Sequence, residues 1–159
     1  MDALEVLKKG MKLEREGLEF YLGAAECSAD PETAQLFRDL AADEVDHYNA
    51  IGRQYDALAA GKAWVPIPEL ETVEPIDVQA PIFPPGLMAC EILPDRPSDE
   101  DALLFALGVE VKSFELYSQS AREVDNADAR RLFQALAAAE QQHFNLLMAR
   151  YEARFAYPR

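Results

Sequence analysis

Two short stretches decide the fold: Glu44-Val45-Asp46-His47 and Glu140-Gln141-Gln142-His143. They hold the only two histidines in the chain. Residues three apart share one face of a helix, so each Glu and His reaches a common point. Thirty residues before each glutamate stands another, Glu14 and Glu110. Outward from these positions the two halves repeat at a constant offset of 96 residues, without a gap across either half. Tyr21 matches Tyr117, and Leu36-Phe37 matches Leu132-Phe133. Leu40-Ala41-Ala42 matches Leu136-Ala137-Ala138, Asn49 matches Asn145, and Tyr55 matches Tyr151. Such a repeat predicts a pseudo-two-fold molecule in which corresponding residues meet near the axis.

Four helical segments frame the repeat, predicting an all-α chain forming one domain over residues 1–159. The first covers about 2–27. Asp30-Pro31 reads as an N-cap followed by proline at the first helical position, opening a second helix over 31–60 that Gly61 ends. Ser98 with Asp101 three residues later resembles a capping box and opens a third helix over 98–124. Asn126 caps a fourth, 127–155. Between Lys62 and Pro97 lie eight of the ten prolines, which makes the segment extended. A helix of about 25 residues is roughly 37 Å long, and a crossover of this length carries the chain back along it. The order is two hairpins joined by a long connection, a known four-helix-bundle topology.

Heptad spacing gives the inward stripes. They are Leu4, Leu7, Met11, Glu14, Leu18, Tyr21, Ala25; Phe37, Leu40, Glu44, His47, Ile51, Gln54, Leu58; Leu103, Leu107, Glu110, Phe114, Tyr117, Ala121; and Phe133, Leu136, Glu140, His143, Leu147. Each is apolar except near its middle. Four carboxylates buried together repel one another and lose their hydration, which costs several kcal/mol per charge. Two divalent cations balance four carboxylates, and two imidazoles fill the nitrogen positions. Oxygen-rich donors with one histidine per metal suit iron or manganese, with zinc also compatible. The metal ligands are therefore Glu14, Glu44, His47, Glu110, Glu140 and His143. Tyr21 and Tyr117, two turns beyond the first glutamate of each half, are candidates to hydrogen-bond ligand carboxylates, or else amphipathic core residues. Glu16, Glu19, Glu26, Glu115 and Glu123 read as a solvated face.

The net charge of −14 argues against nucleic acid and anionic membranes as partners. No apolar run is long enough to span a bilayer, and Met1 to Lys9 lacks the apolar core of a signal peptide. The default location is the cytoplasm. Cys27 and Cys90 form no Cys-x-x-Cys pair and read as ordinary thiols. Trp64 and Ile82-Phe83-Pro84-Pro85 are placed to pack the crossover onto the bundle or a second subunit, which predicts a homodimer.

The combined pattern is Glu14-x-x-Gly17-x-x-Phe20-Tyr21 with Glu44-x-x-His47, then Glu110-x-x-Ser113-x-x-Leu116-Tyr117 with Glu140-x-x-His143. It resembles the rubrerythrin branch of the ferritin-like superfamily. The resemblance implies a ferritin-like four-helix bundle with two iron ions. Glu44 and Glu140 would bridge them, Glu14 and His47 would complete one metal, and Glu110 and His143 the other. It further implies an oxidoreductase reacting with hydrogen peroxide or O2. Rubrerythrins carry a further glutamate where this chain has Ser113, and there is no rubredoxin-type Cys-x-x-Cys pair, so reductive turnover would need an external electron donor. The same six ligands suit a ferroxidase centre, as in bacterioferritins. A manganese catalase-like site, or a metal-stabilised binding protein without turnover, remains an alternative.

Overall fold

The computed structural model describes residues 1–66 and 98–156. Among the described residues four helices carry the fold: α1 (Ala3–Cys27), α2 (Pro31–Ala59), α3 (Asp99–Glu123) and α4 (Ala127–Tyr151), the last continuing into a π-helical turn at Glu152–Ala156. The signals that open and close them are local. Asp2 accepts from the backbone N–H groups of Leu4 and Glu5, and Asp30 from that of Thr33, with Pro31 opening α2. Ser98 and Asp101 form a complete capping box, and Asn126 accepts from Asp128 and Ala129. Each cap satisfies amide donors that the first helical turn leaves unpaired. At the end of α2, Gly61 adopts φ 72°. Its N–H donates to the Leu58 carbonyl, and that of Lys62 to Ala57, the arrangement glycine permits without a Cβ penalty.

α1 and α2 form one antiparallel hairpin, α3 and α4 the other, and the hairpins meet through α1 against α3 and α2 against α4. The described residues form an all-helical four-helix bundle, as the repeat predicts. Its core falls into two clusters that the repeat exchanges. Tyr21, Phe37, Leu40, Leu103 and Leu147 belong to one; Tyr117, Phe133, Leu136, Leu7 and Ile51 belong to the other. The polar centre lies between these two apolar layers.

One end of the bundle is tied by charge. Arg150 on α4 binds Asp30 and donates to Glu32 (2.6 Å) and Thr33 Oγ1 (3.0 Å), and Arg154 reaches Asp99 at 2.6 Å. At the position of Arg150 in the first half stands Gln54, fully buried, whose side chain makes two 2.8 Å bonds with the Val65 backbone. Trp64 meets Phe133 edge-on at 6.2 Å, so the start of the crossover does lie against the bundle. The rest of the Pro-rich crossover, with Ile82–Pro85 and Cys90, lies outside the described residues.

Three expectations are corrected. Phe114 is not inward but 36 % exposed, whereas Ser113 is buried. A 3.5-residue heptad runs ahead of a 3.6-residue helix, and of the two residues straddling the inward direction Ser113 faces in. Glu19 is only partly exposed, and burial raises its carboxyl above the usual value. Cys27 is disulfide-bonded rather than a free thiol. Pairing depends on which cysteines the fold brings close, and spacing along the chain does not report that.

Candidate metal centre

The middle turns of all four helices supply the centre, because each stripe turns from apolar to acidic at the same depth. Glu14, Glu44, Glu110 and Glu140 are buried, each 3 % exposed or less, and so is His143. His47 is slightly more open, its side chain 16 % exposed. The imidazoles stack with ring centroids 5.5 Å apart. His47 Nδ1 lies 3.2 Å from both Glu14 Oε2 and Glu140 Oε1. His143 Nδ1 lies 3.2 Å from Glu44 Oε1 and 3.5 Å from Glu110 Oε1. The structure thus brings together all six residues singled out as ligands.

Their donor atoms form two overlapping groups, each with atoms within 4.8 Å of one another. One is Glu14, Glu44, His47 and Glu140; the other is Glu44, Glu110, Glu140 and His143. Glu44 and Glu140 belong to both, as bridging carboxylates do. Glu44 Oε1, Glu110 Oε2, Glu140 Oε1 and His143 Nδ1 are buried without a hydrogen-bond partner. The 3.2 Å approach of His143 Nδ1 to Glu44 Oε1 therefore lacks hydrogen-bond alignment. Buried polar atoms are rarely left unpaired, and four orphans converging on one point fit cations better than they fit one another.

Protons offset part of the charge of these clustered carboxyls. Burial, reinforced by Glu14, pushes the Glu44 carboxyl well above its usual range. Burial likewise pushes Glu140 up to about 9, against the opposing influence of the His47 imidazole beside it. Burial acts the same way on Glu14 and Glu110, but Glu44, the His47 imidazole and the Tyr117 hydroxyl beside it hold Glu14 below its ordinary value, and the nearby His143 imidazole, Glu140 and the Tyr21 hydroxyl do so for Glu110. For His47, burial favours the neutral ring but is outweighed by the hydrogen bond to Glu14 and the adjacent Glu140 carboxyl, so its pKa is raised. Four acids in one dry space are resolved by keeping protons on the two shared ones, as like charges demand.

Two tyrosines complete the cage. Tyr21 donates to Glu110 Oε1 and Tyr117 to Glu14 Oε1, and both rings are fully buried. Each crosses from its own hairpin to the glutamate of the other, which locks the halves together around the centre. Gly17 gives Glu44 room: a Cβ there would stand 3.5 Å from its carboxyl group. A cleft of about 110 Å³ lined by Val111, Phe114, Gln141 and Phe144 reaches Glu110 and Glu140 from the α3–α4 side.

Sequence reasoning missed Asp43, whose Oδ2 lies 3.0 Å from His143 Nε2. The signal was present as a break in the repeat, since Ala139 is its counterpart.

No family model and no curated protein matches this chain. Two solved structures share its fold. A hypothetical protein from Pyrococcus furiosus is 24% identical with a TM-score of 0.69, the match covering 96% of this chain and 89% of that one. An uncharacterised conserved protein from Magnetospirillum magnetotacticum MS-1 is 22% identical with a TM-score of 0.65, covering 97% and 94%. At such identities the likeness concerns the fold alone. No described helix is long and apolar enough to cross a membrane.

Proposed function

We propose that this chain is a rubrerythrin-like, non-haem di-iron oxidoreductase acting on hydrogen peroxide or O2. One observation carries the reading: two overlapping four-residue donor groups that share Glu44 and Glu140 and leave buried donor atoms unsatisfied. Glu14 and His47 complete one cation position, and Glu110 and His143 the other. Two iron ions bound there would supply Lewis acidity and paired one-electron redox equivalents.

The chain's own residues do the rest. Two divalent cations balance four carboxylates, so Glu44 and Glu140 give up their protons on loading. Tyr21 and Tyr117 fix the terminal carboxylates in rotation. The cleft beside Glu110 and Glu140 admits a molecule of a few heavy atoms past apolar walls, which suits a small neutral oxidant. Reducing one hydrogen peroxide to two waters consumes two electrons and two protons. The electrons come from a donor outside the four-helix bundle.

Ferrous-iron oxidation is the second reading, favoured by Ser113, buried where rubrerythrins carry another glutamate. The test is anaerobic loading with Fe(II), metal analysis, and stopped-flow mixing with peroxide and with O2. Two ions per chain and a fast reaction with peroxide support the peroxidase form. A much faster reaction with O2 supports the ferroxidase form. Fewer than two ions, or no redox cycling with any donor, refutes both and leaves a binding protein.

A further inference from the structure

The repeat makes the two cation positions equivalent in their direct ligands, and one side chain breaks that equivalence. The exposed carboxylate of Asp43 on α2 lies 3.0 Å from Nε2 of His143 on α4, while Nδ1 of the same ring faces Glu44, Glu110 and Glu140. The repeat counterpart of Asp43 is Ala139, whose side chain carries no acceptor. The contacts of His47 run through Nδ1, to Glu14 and Glu140.

The geometry points to Asp43 as a positioning residue that makes the cation site at His143 the tighter of two unequal sites. An imidazole that donates its outer N–H to a carboxylate is fixed in tautomer and orientation and is a stronger base at its inner nitrogen. Such outer partners change metal affinity by about 10–100-fold. His143 is also the more enclosed ring, its side chain 3 % exposed against 16 % for His47. The inference rests on the dimetal reading and adds an order of filling: His143 with Glu44, Glu110 and Glu140 first, His47 with Glu14 second.

Co(II) serves as the probe, titrated calorimetrically into chelator-treated full-length protein, with proton NMR of the loaded protein as a second readout. The wild type is expected to bind two ions with affinities at least about tenfold apart. Asp43→Ala should lower the tighter affinity about 10–100-fold and leave the weaker one in place. It should also remove one exchangeable, paramagnetically shifted imidazole N–H resonance. Ala139→Asp should raise the weaker affinity by about tenfold. Asp46→Asn, which removes a neighbouring exposed charge, should change both by no more than about twofold. Two equal sites in the wild type, an Asp43→Ala effect shared equally by both sites, or no effect at all overturns the inference while leaving the dimetal centre intact. Binding of fewer than two Co(II) ions overturns the dimetal reading and this inference with it.

Discussion

Raising the pH should destabilise the metal-free protein across a range where most proteins are indifferent. The perturbation is chelation followed by urea unfolding at pH 6, 7 and 8. Burial pushes the folded-state carboxyl of Glu140 up to about 9 from an ordinary 4.5, and shifts Glu44 in the same direction. Between those values the native state holds protons that the unfolded chain has released, so stability is greatest below the unfolded pKa and is lost as pH rises toward the folded one. Each retained proton contributes a slope of about 1.4 kcal/mol per pH unit, hence on the order of 3 kcal/mol from pH 6 to 8. His47, also raised, adds in the same direction above its ordinary 6.5. Glu14 and Glu110 are shifted downward, so their contribution is lost only in acid and does not affect this window. With a urea m-value near 2 kcal/mol per M, the midpoint should fall by about 1 M or more. Replacing both Glu44 and Glu140 by Gln, which mimics the protonated form, should flatten the profile. Metal-loaded protein should hold steady or gain stability, because deprotonated ligands bind cations better. A midpoint that is flat or rises with pH in the chelated wild type would refute the proton-sharing account of the buried acids.

Further tests address packing around the centre. Tyr117→Phe and Tyr21→Phe each strip a hydrogen bond from a buried carboxylate and should cost about 1–3 kcal/mol in urea unfolding, with metal affinity lowered by about tenfold in calorimetry. Gly17→Ala should be tolerated and gain up to about 1 kcal/mol of helix stability, since its Cβ would make ordinary contact with Glu44. Gly10→Ala places a Cβ 3.3 Å from Ile51 Cδ1 and from the Tyr117 ring and hydroxyl. It should displace Tyr117 and offset that gain, leaving the variant no more stable than wild type in thermal melts and a weaker binder of metal. Leu147→Ala, at a fully buried position, should cost about 2–5 kcal/mol by urea unfolding without abolishing two-ion binding.

How much of this was legible in the chain follows from the range of each interaction. Helix limits came through because caps act over three or four residues: Asp30-Pro31, Ser98 with Asp101, Asn126 and Gly61 all do what their sequence positions predict. The six converging residues came through because the repeat carries the pseudo-symmetry and the stripes carry the depth. What the one-dimensional pattern could not carry was contact between elements that touch only once the hairpins dock. Tyr21 and Tyr117 could have bonded the glutamate of either half, and it is the antiparallel docking of α1 on α3 that sends each across to the other. The choice between Ser113 and Phe114 as the inward residue turned on a rotation smaller than heptad spacing resolves. The contact of His143 Nε2 with the Asp43 carboxylate spans 100 residues and links positions that no motif joins. Local chemistry and periodicity are written along the chain, whereas the partners of a side chain that crosses between helices are set by how the helices are rotated and stacked.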